Sequence, residues 1–290
     1  MSFLKKFSKL IVKINKAIKE KRFSHALYSR LKPYLIGIRY IFTIRPHIKV
    51  HNPTYVQPSK EVNELKIVER VFKSFKLMKD KQKKVNSLYK PSELWEEQLT
   101  NSYSYFYRAL QTDDIQPFHY FLSNYGCWRE YHGISNNTFI RELSGTYLGR
   151  RYLENSVFHN QMKFWKWYYN DKKDVSNLNF FKHGNQSGAY VNGQFISVSS
   201  FFNEINASNI YRLLKNIDTP KIAELGAGDG NFIYFLLRKL NKFTYINFDL
   251  PEVLSILSYN FLLEWPDKKF LLYGENEFNS LSTNKSDFIL

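Results

Sequence analysis

The sequence has one cysteine, few glycines and prolines, and no apolar run long enough for a membrane span. Cys127 alone cannot form an intrachain disulfide, which fits a protein of the reducing cytoplasm. With 12 glycines and 9 prolines in 290 residues, no low-complexity linker divides the chain. The apolar run Tyr34–Ile44 is about eleven residues and contains Arg39, so it is too short to cross a bilayer.

Metal-ligand and nucleic-acid motifs are also missing. The histidines of the middle of the chain, His119, His132, His159 and His183, do not stand at metal-ligand spacing, so we predict no metal site. The net charge of +16 suggests nucleic acid, but no recognised nucleic-acid motif accompanies it. Nucleic acid is therefore not an expected partner.

Acidic residues are nearly absent from the first 50 positions, which contain thirteen Lys and Arg but one acidic residue, Glu20. Apolar residues recur there at three- and four-residue steps, which predicts a basic amphipathic helix. Such a helix binds an anionic membrane surface or packs on the protein with its charged face in water. We expect a cytoplasmic protein. If the helix binds a membrane, residues 1–30 would also attach the protein peripherally to the inner membrane face.

Residues 51–216 are predicted to be mainly helical and to form an acceptor-binding or cap region. The helical candidates are Lys60–Asp80, Ser92–Gln111, Asp114–Asn124, Ser156–Asn170 and Ser199–Asn216. The Gly-rich stretch His183–Gly193 is either a binding loop or a hairpin that turns at Asn192-Gly193. Aromatic residues in Phe158–Tyr169 form either a sugar-stacking surface or part of the core.

The stretch "IAELGAGDGNFIYFLLRKL", Ile222–Leu240, reads as a strand, a glycine-rich turn and a helix. The dinucleotide fingerprint G-x-G-x-x-G fits at Gly226 and Gly228, but its third position is Asn231. Two carboxylates beside the turn, Glu224 and Asp229, would repel a pyrophosphate. They suit the sulfonium and ammonium groups of S-adenosylmethionine, although a ligand-free strand-to-helix turn also explains the glycines.

The pattern E-x-G-x-G-x-G resembles motif I of class I S-adenosylmethionine-dependent methyltransferases. Together with "FDLPE", Phe248–Glu252, it is similar to the bacterial sugar O-methyltransferases associated with surface polysaccharide synthesis. The resemblance implies methyl transfer to a hydroxyl of a saccharide or glycan precursor. It also implies an S-adenosylmethionine site formed by Glu224, Gly226, Ala227, Gly228, Asp229, Gly230, Asp249, Leu250 and Glu275.

The implied fold is α/β, with a Rossmann-like class I methyltransferase domain in residues 217–290 after the mainly helical region. Strand and helix alternate as that fold needs: Phe243–Leu250 is a second strand, and Pro251 begins the following helix. Phe270–Tyr273 is a third strand and Asp287–Leu290 begins a fourth. Class I domains continue beyond that strand, so we interpret the chain as C-terminally incomplete, with an apolar sheet edge and one poorly covered face.

Catalytic residues are harder to place, because the acceptor-side loops of class I enzymes follow the fourth strand. His183 is the first candidate for the base that deprotonates an acceptor hydroxyl, and His132 is the second. We expect inefficient methyl transfer by these 290 residues. The alternative function is a truncated or degenerate relative that acts as a non-catalytic binding module.

The membrane alternative can be tested by flotation. Each lysine near anionic headgroups contributes roughly 1 kcal/mol to binding, so deleting residues 1–30 should release the protein from anionic vesicles. Equal flotation of the full and shortened chains would contradict membrane binding. A shortened chain that fails to fold would favour the packed helix.

Overall fold

The computed structural model describes residues 25–87, 90–128, 137–277 and 285–290. The predicted basic helix of the first 24 residues and the candidate base His132 lie outside these ranges. Within them, no helix combines the length and apolar character needed to cross a membrane.

The first part of the described chain is mostly helical. Its helices are α1 (His25–Ile38), α2 (Val62–Lys84), α3 (Glu93–Ser102), α4 (Ser104–Thr112), α5 (Ile115–Leu122), α6 (Asn137–Ser144), α7 (Tyr147–Tyr152), α8 (Asn160–Tyr168) and α9 (Ser200–Leu214). Its strands are β1 (Ile48–His51), β2 (Gly188–Val191) and β3 (Gln194–Ile196), which form a small antiparallel sheet in the order β1-β2-β3. The predicted helices are found, although Ser92–Gln111 is broken into two helices at Tyr103.

The first of two local features decides an alternative that the sequence left open, whereas the second concerns residues 25–38 and leaves the alternatives for the basic helix of the first 24 residues untested. The stretch between His183 and Gly193 forms a hairpin: Asn192 and Gly193 both have positive φ, of 49° and 81°, as a two-residue hairpin turn requires. Helix α1 packs closely on α7, since a Cβ at Gly37 would lie 2.3 Å from the backbone oxygen of Leu148. Residues 25–38 are thus packed on the protein.

The second part is a parallel sheet with intervening helices, in the chain order β4 (Lys221–Leu225), α10 (Asn231–Leu237), β5 (Thr244–Phe248), α11 (Pro251–Glu264), β6 (Phe270–Leu271) and β7 (Phe288–Ile289). The predicted α/β class is confirmed at this level. The expected start of a helix at Pro251 and the expected fourth strand are both present.

The strand order is β4-β5-β7-β6, which differs from the doubly wound order. In that order the fourth strand pairs with the first, whereas here it lies between the second and third. Aromatic stacking accounts for the position of β7. The ring of Phe288 is 4.4 Å from Phe270 with an interplanar angle of 4°, and 5.4 Å from Trp265 with an angle of 22°.

A hydrophobic core contains residues from both parts of the chain, before and after residue 217. It contains Phe72 and Phe75 of α2, Leu257 and Phe261 of α11, and Phe288 of β7. The opposite face of the sheet is open at β4 and β5, where Leu225 is 86% exposed and Phe248 54% exposed. Among the described residues, β4 pairs only with β5.

Glu204 of α9 is fully buried and is the centre of an ion cluster. Its carboxylate accepts hydrogen bonds from Lys173 Nζ (2.6 Å), Ser208 Oγ (2.8 Å), Trp165 Nε1 (2.9 Å) and Lys239 Nζ (3.0 Å). Burial by itself would raise the pKa of Glu204, but the hydrogen bonds from the two lysines and Trp165 bring it down to about 2. The cluster ties α8, α9 and the end of α10 together.

Replacing Glu204 should destabilise the fold strongly. Glu204→Ala leaves two half-buried lysines without their shared anion, so we expect the free energy of unfolding to fall by about 3–5 kcal/mol in urea. Asp218→Ala is the matched control, because the Asp218–Lys242 pair is exposed and 3.8 Å apart, and should cost less than about 1 kcal/mol. Equal losses would contradict the role of the buried cluster.

Candidate functional site

The glycine turn, Gly226–Gly230, connects β4 to α10 through three residues with positive φ. Gly226, Gly228 and Gly230 have φ of 78°, 63° and 88°, a region that residues with a Cβ rarely adopt. At Gly230 the space is also restricted, because a Cβ there would lie 2.6 Å from the ring of Phe261. The backbone thus requires these glycines whether or not a ligand binds.

Asp249 meets the glycine turn at the carboxyl edge of the sheet. Its Oδ2 accepts a hydrogen bond from the Gly228 amide at 3.1 Å, and its Oδ1 accepts one from the Leu250 amide at 2.8 Å. Leu250 is the residue that caps α11, without a side-chain hydrogen bond. The carboxylate of Asp249 therefore fastens the turn to the end of β5 rather than capping the helix in the usual way.

Glu224 lies one residue before the end of β4, on the covered face of the sheet. Its Oε2 accepts a hydrogen bond from the Tyr245 hydroxyl at 2.8 Å. Burial raises the pKa of both Glu224 and Asp249, and the negative charge of Asp249 raises that of Glu224 further. A nearby cation would favour the ionised form of both groups.

Asp229 is buried beneath the turn, with 1% of its surface exposed. Its Oδ1 accepts a hydrogen bond from the side-chain amide of Asn231, and burial raises its pKa to about 7. Asn231 in turn accepts a hydrogen bond from Ser199 Oγ at 2.8 Å, which links the turn to the start of α9.

Several buried polar atoms around the turn have no hydrogen-bond partner among the described residues. They are Asp229 Oδ2, Glu252 Oε2, Asn260 Oδ1 and both amide atoms of Asn247. Native proteins leave few such atoms, and each calls for an explanation. Most of these atoms are acceptors, and of their residues Asn247 also lines the neighbouring groove.

A groove of about 920 Å³ opens beside Asp249. The ends of β5, β6 and β7 form one wall, and Gly274 and Asn276 lie at its rim. The last turns of α2 contribute Leu77, Met78, Lys81 and Lys84 to the lining. Its size suits a nucleoside-sized ligand. Sequence reasoning missed the contribution of α2, because no motif marks this helix.

Glu275, a predicted cofactor residue, binds Arg70 and is not among the residues that line the groove. It forms a bidentate ion pair with Arg70 of α2, at 2.6 and 2.9 Å, and accepts a hydrogen bond from the Leu272 amide. Burial opposes ionisation, but the hydrogen bonds from Arg70 and the Leu272 amide keep the pKa of Glu275 below its ordinary value. Its neighbours Gly274 and Asn276 line the groove instead.

His183 is hydrogen-bonded at the C-terminal end of α11. Its Nε2 is 3.1 Å from Glu264 Oε2, and its ring stacks on Phe181. Glu264 ends α11, whereas Asp249 precedes its first turn, and a helix of this length spans about 20 Å. His183 and Asp249 therefore lie at opposite ends of α11. No group of three or more metal-ligating side chains is found in the part of the chain that is described.

The raised pKa of Asp229 predicts a pH-dependent stability. Between its ordinary value of 3.8 and about 7, the folded protein holds a proton that the unfolded chain releases. The contribution of Asp229 is therefore fully present below pH 4 and is lost as the pH rises to 7. Asp229→Asn does not titrate, so relative to the wild type it should gain about 1–4 kcal/mol in unfolding free energy between pH 4 and pH 8. Urea unfolding at both pH values measures this, and a pH-independent difference would contradict it.

Comparison with known proteins adds no relative: no family model, no curated protein and no solved structure matches this chain.

Proposed function

We propose that this chain binds S-adenosylmethionine at the carboxyl edge of its parallel sheet and methylates a hydroxyl of a sugar or glycan precursor. The observation that carries the proposal is the contact between the glycine turn and Asp249, where the Gly228 amide donates to the carboxylate beside the groove. Ligands of open α/β sheets bind at this edge, outside the carboxyl ends of the strands.

The charge of the site favours a cationic ligand over a dinucleotide. Glu224, Asp229 and Asp249 all lie at or beside the turn, and burial raises the pKa of each. A pyrophosphate would add negative charge to this group, whereas a sulfonium or ammonium would offset it. Asn247, whose two side-chain amide atoms have no hydrogen-bond partner among the described residues, lines the groove at the same edge.

The protein's part in the reaction is binding and alignment. When bound, S-adenosylmethionine supplies a methyl group that its sulfonium already activates. In this proposal Asp249 would accept hydrogen bonds from ribose hydroxyls, as acids at this position do in nucleotide-binding sheets. Orientation of the acceptor oxygen can contribute roughly 7–11 kcal/mol to such a transfer.

Two findings bear on how far the proposal extends. The strand order differs from the doubly wound order, so support comes from the site and the motif resemblance rather than from the topology. His183 is hydrogen-bonded to Glu264, and His132 lies outside the described residues, so the base is left unassigned. The alternative is a non-catalytic module that binds the cofactor without turnover.

Replacing Asp249 tests the cofactor site. Asp249→Ala should weaken binding of S-adenosylhomocysteine by about 1–3 kcal/mol in isothermal titration, because the ribose hydroxyls lose their acceptor. Asp267→Ala is the matched control, since Asp267 is exposed just after α11, and should bind like the wild type.

Unchanged affinity in a folded Asp249→Ala protein would contradict the assignment, as would a preference for NAD. Tight binding without methyl transfer to any saccharide would favour the non-catalytic module.

A further inference from the structure

Three aromatic side chains form an exposed patch on α8 and α9, called here the aromatic patch. Phe164, Trp167 and Phe202 are 43%, 69% and 52% exposed. The central ring, Phe164, is 5.7 Å from Trp167 and 6.0 Å from Phe202, with interplanar angles of 35° and 31°. The three rings thus lie side by side with modest tilts, and each is at least 43% exposed.

The structure separates this patch from the buried aromatic residues of the same stretch. Phe158 and Trp165 are fully buried, and Trp165 is held by its hydrogen bond to Glu204. The sequence alone could not divide core from surface here, because Phe202 comes from another helix more than 30 positions away.

The neighbours of the patch are mainly amides. Residues three, four and seven apart share a helix face, so Asn160 and Lys163 lie on the face of Phe164 and Trp167. Asn206 and Asn209 lie on the face of Phe202, and all four are exposed. These four neighbours include one ammonium group and no carboxylate, and the Lys166–Asp171 ion pair next to Trp167 in the chain adds one charge of each sign.

Such a surface matches the chemistry of a neutral sugar. A pyranose presents C–H groups on its faces, which pack on aromatic rings, and hydroxyls at its rim, which pair with amides. An anionic membrane or a nucleic acid would instead require a cationic surface. From the ring geometry, the amide rim and the low charge, we infer that the aromatic patch binds a neutral saccharide chain.

Helix α9 connects the aromatic patch to the candidate cofactor site. Ser199 caps α9 and donates to Asn231, the residue after Gly230. Phe202 is three residues further, about 5 Å along the helix axis. A saccharide held on the patch is thus anchored beside the helix that begins at the glycine turn. Its role as the methyl acceptor rests on the proposed function, whereas its binding does not.

Affinity electrophoresis of the full chain tests the inference. Native gels are cast with dextran, galactomannan or hydroxyethyl cellulose, and at least one should retard the wild type. Trp167→Ala should weaken that retardation at least tenfold, and Trp167→Phe should retain most of it. Phe42→Ala is the control, since Phe42 is 84% exposed and lies outside the patch.

The inference is overturned if none of the three polysaccharides retards the wild type, or if Trp167→Ala and Phe42→Ala behave alike. It is also overturned if sedimentation shows a dimer that Trp167→Ala dissociates, because a second copy would then cover the patch. Titration with S-adenosylhomocysteine separates the two proposals. Retardation that depends on Trp167 in a protein that does not bind this ligand supports the patch and contradicts the proposed cofactor.

Discussion

Helix α11 is buried over residues 251–262, and the rest of the structure is arranged around this burial. A buried helix that carries polar side chains needs partners for them, and the helical part of the chain supplies these partners. Glu252 pairs with Lys79 at 2.9 Å and Tyr107 at 2.7 Å, and the Tyr259 hydroxyl donates to Glu64 at 2.8 Å. These contacts hold α2 against α11, and the last turns of α2 line the groove.

The same packing determines the shape of the candidate site. The ring of Phe261 in α11 packs against Gly230, so the glycine turn lies directly on this helix. Asp249 binds the turn to the end of β5 through the Gly228 amide. Asn247, Glu252 and Asp229 are buried in the process and keep unpaired atoms. Each such atom calls for an explanation in a native protein.

The two surfaces that we propose bind ligands differ in charge and in the elements that form them. The glycine turn is acidic and its residues are close in sequence, Glu224 to Asp249, whereas α2 brings Lys81 and Lys84 to the neighbouring groove. The aromatic patch is nearly neutral and is formed by two helices that Glu204 holds together through Trp165 and Lys173. A cationic cofactor and a neutral sugar are different ligands, and α9 connects the places proposed for them.

The sequence by itself determined the local elements: the glycine turn, the helix that begins at Pro251, the short strand at Phe288 and most helices of the first part. These depend on residues a few positions apart, through glycine φ angles, proline at a helix start and apolar periodicity. The tertiary structure alone decided the strand order, the wall that α2 gives to the groove, and the partners of Glu275 and His183. The Arg70–Glu275 and His183–Glu264 contacts join residues 205 and 81 positions apart. No local pattern encodes such pairs, because they form only when distant segments share one core.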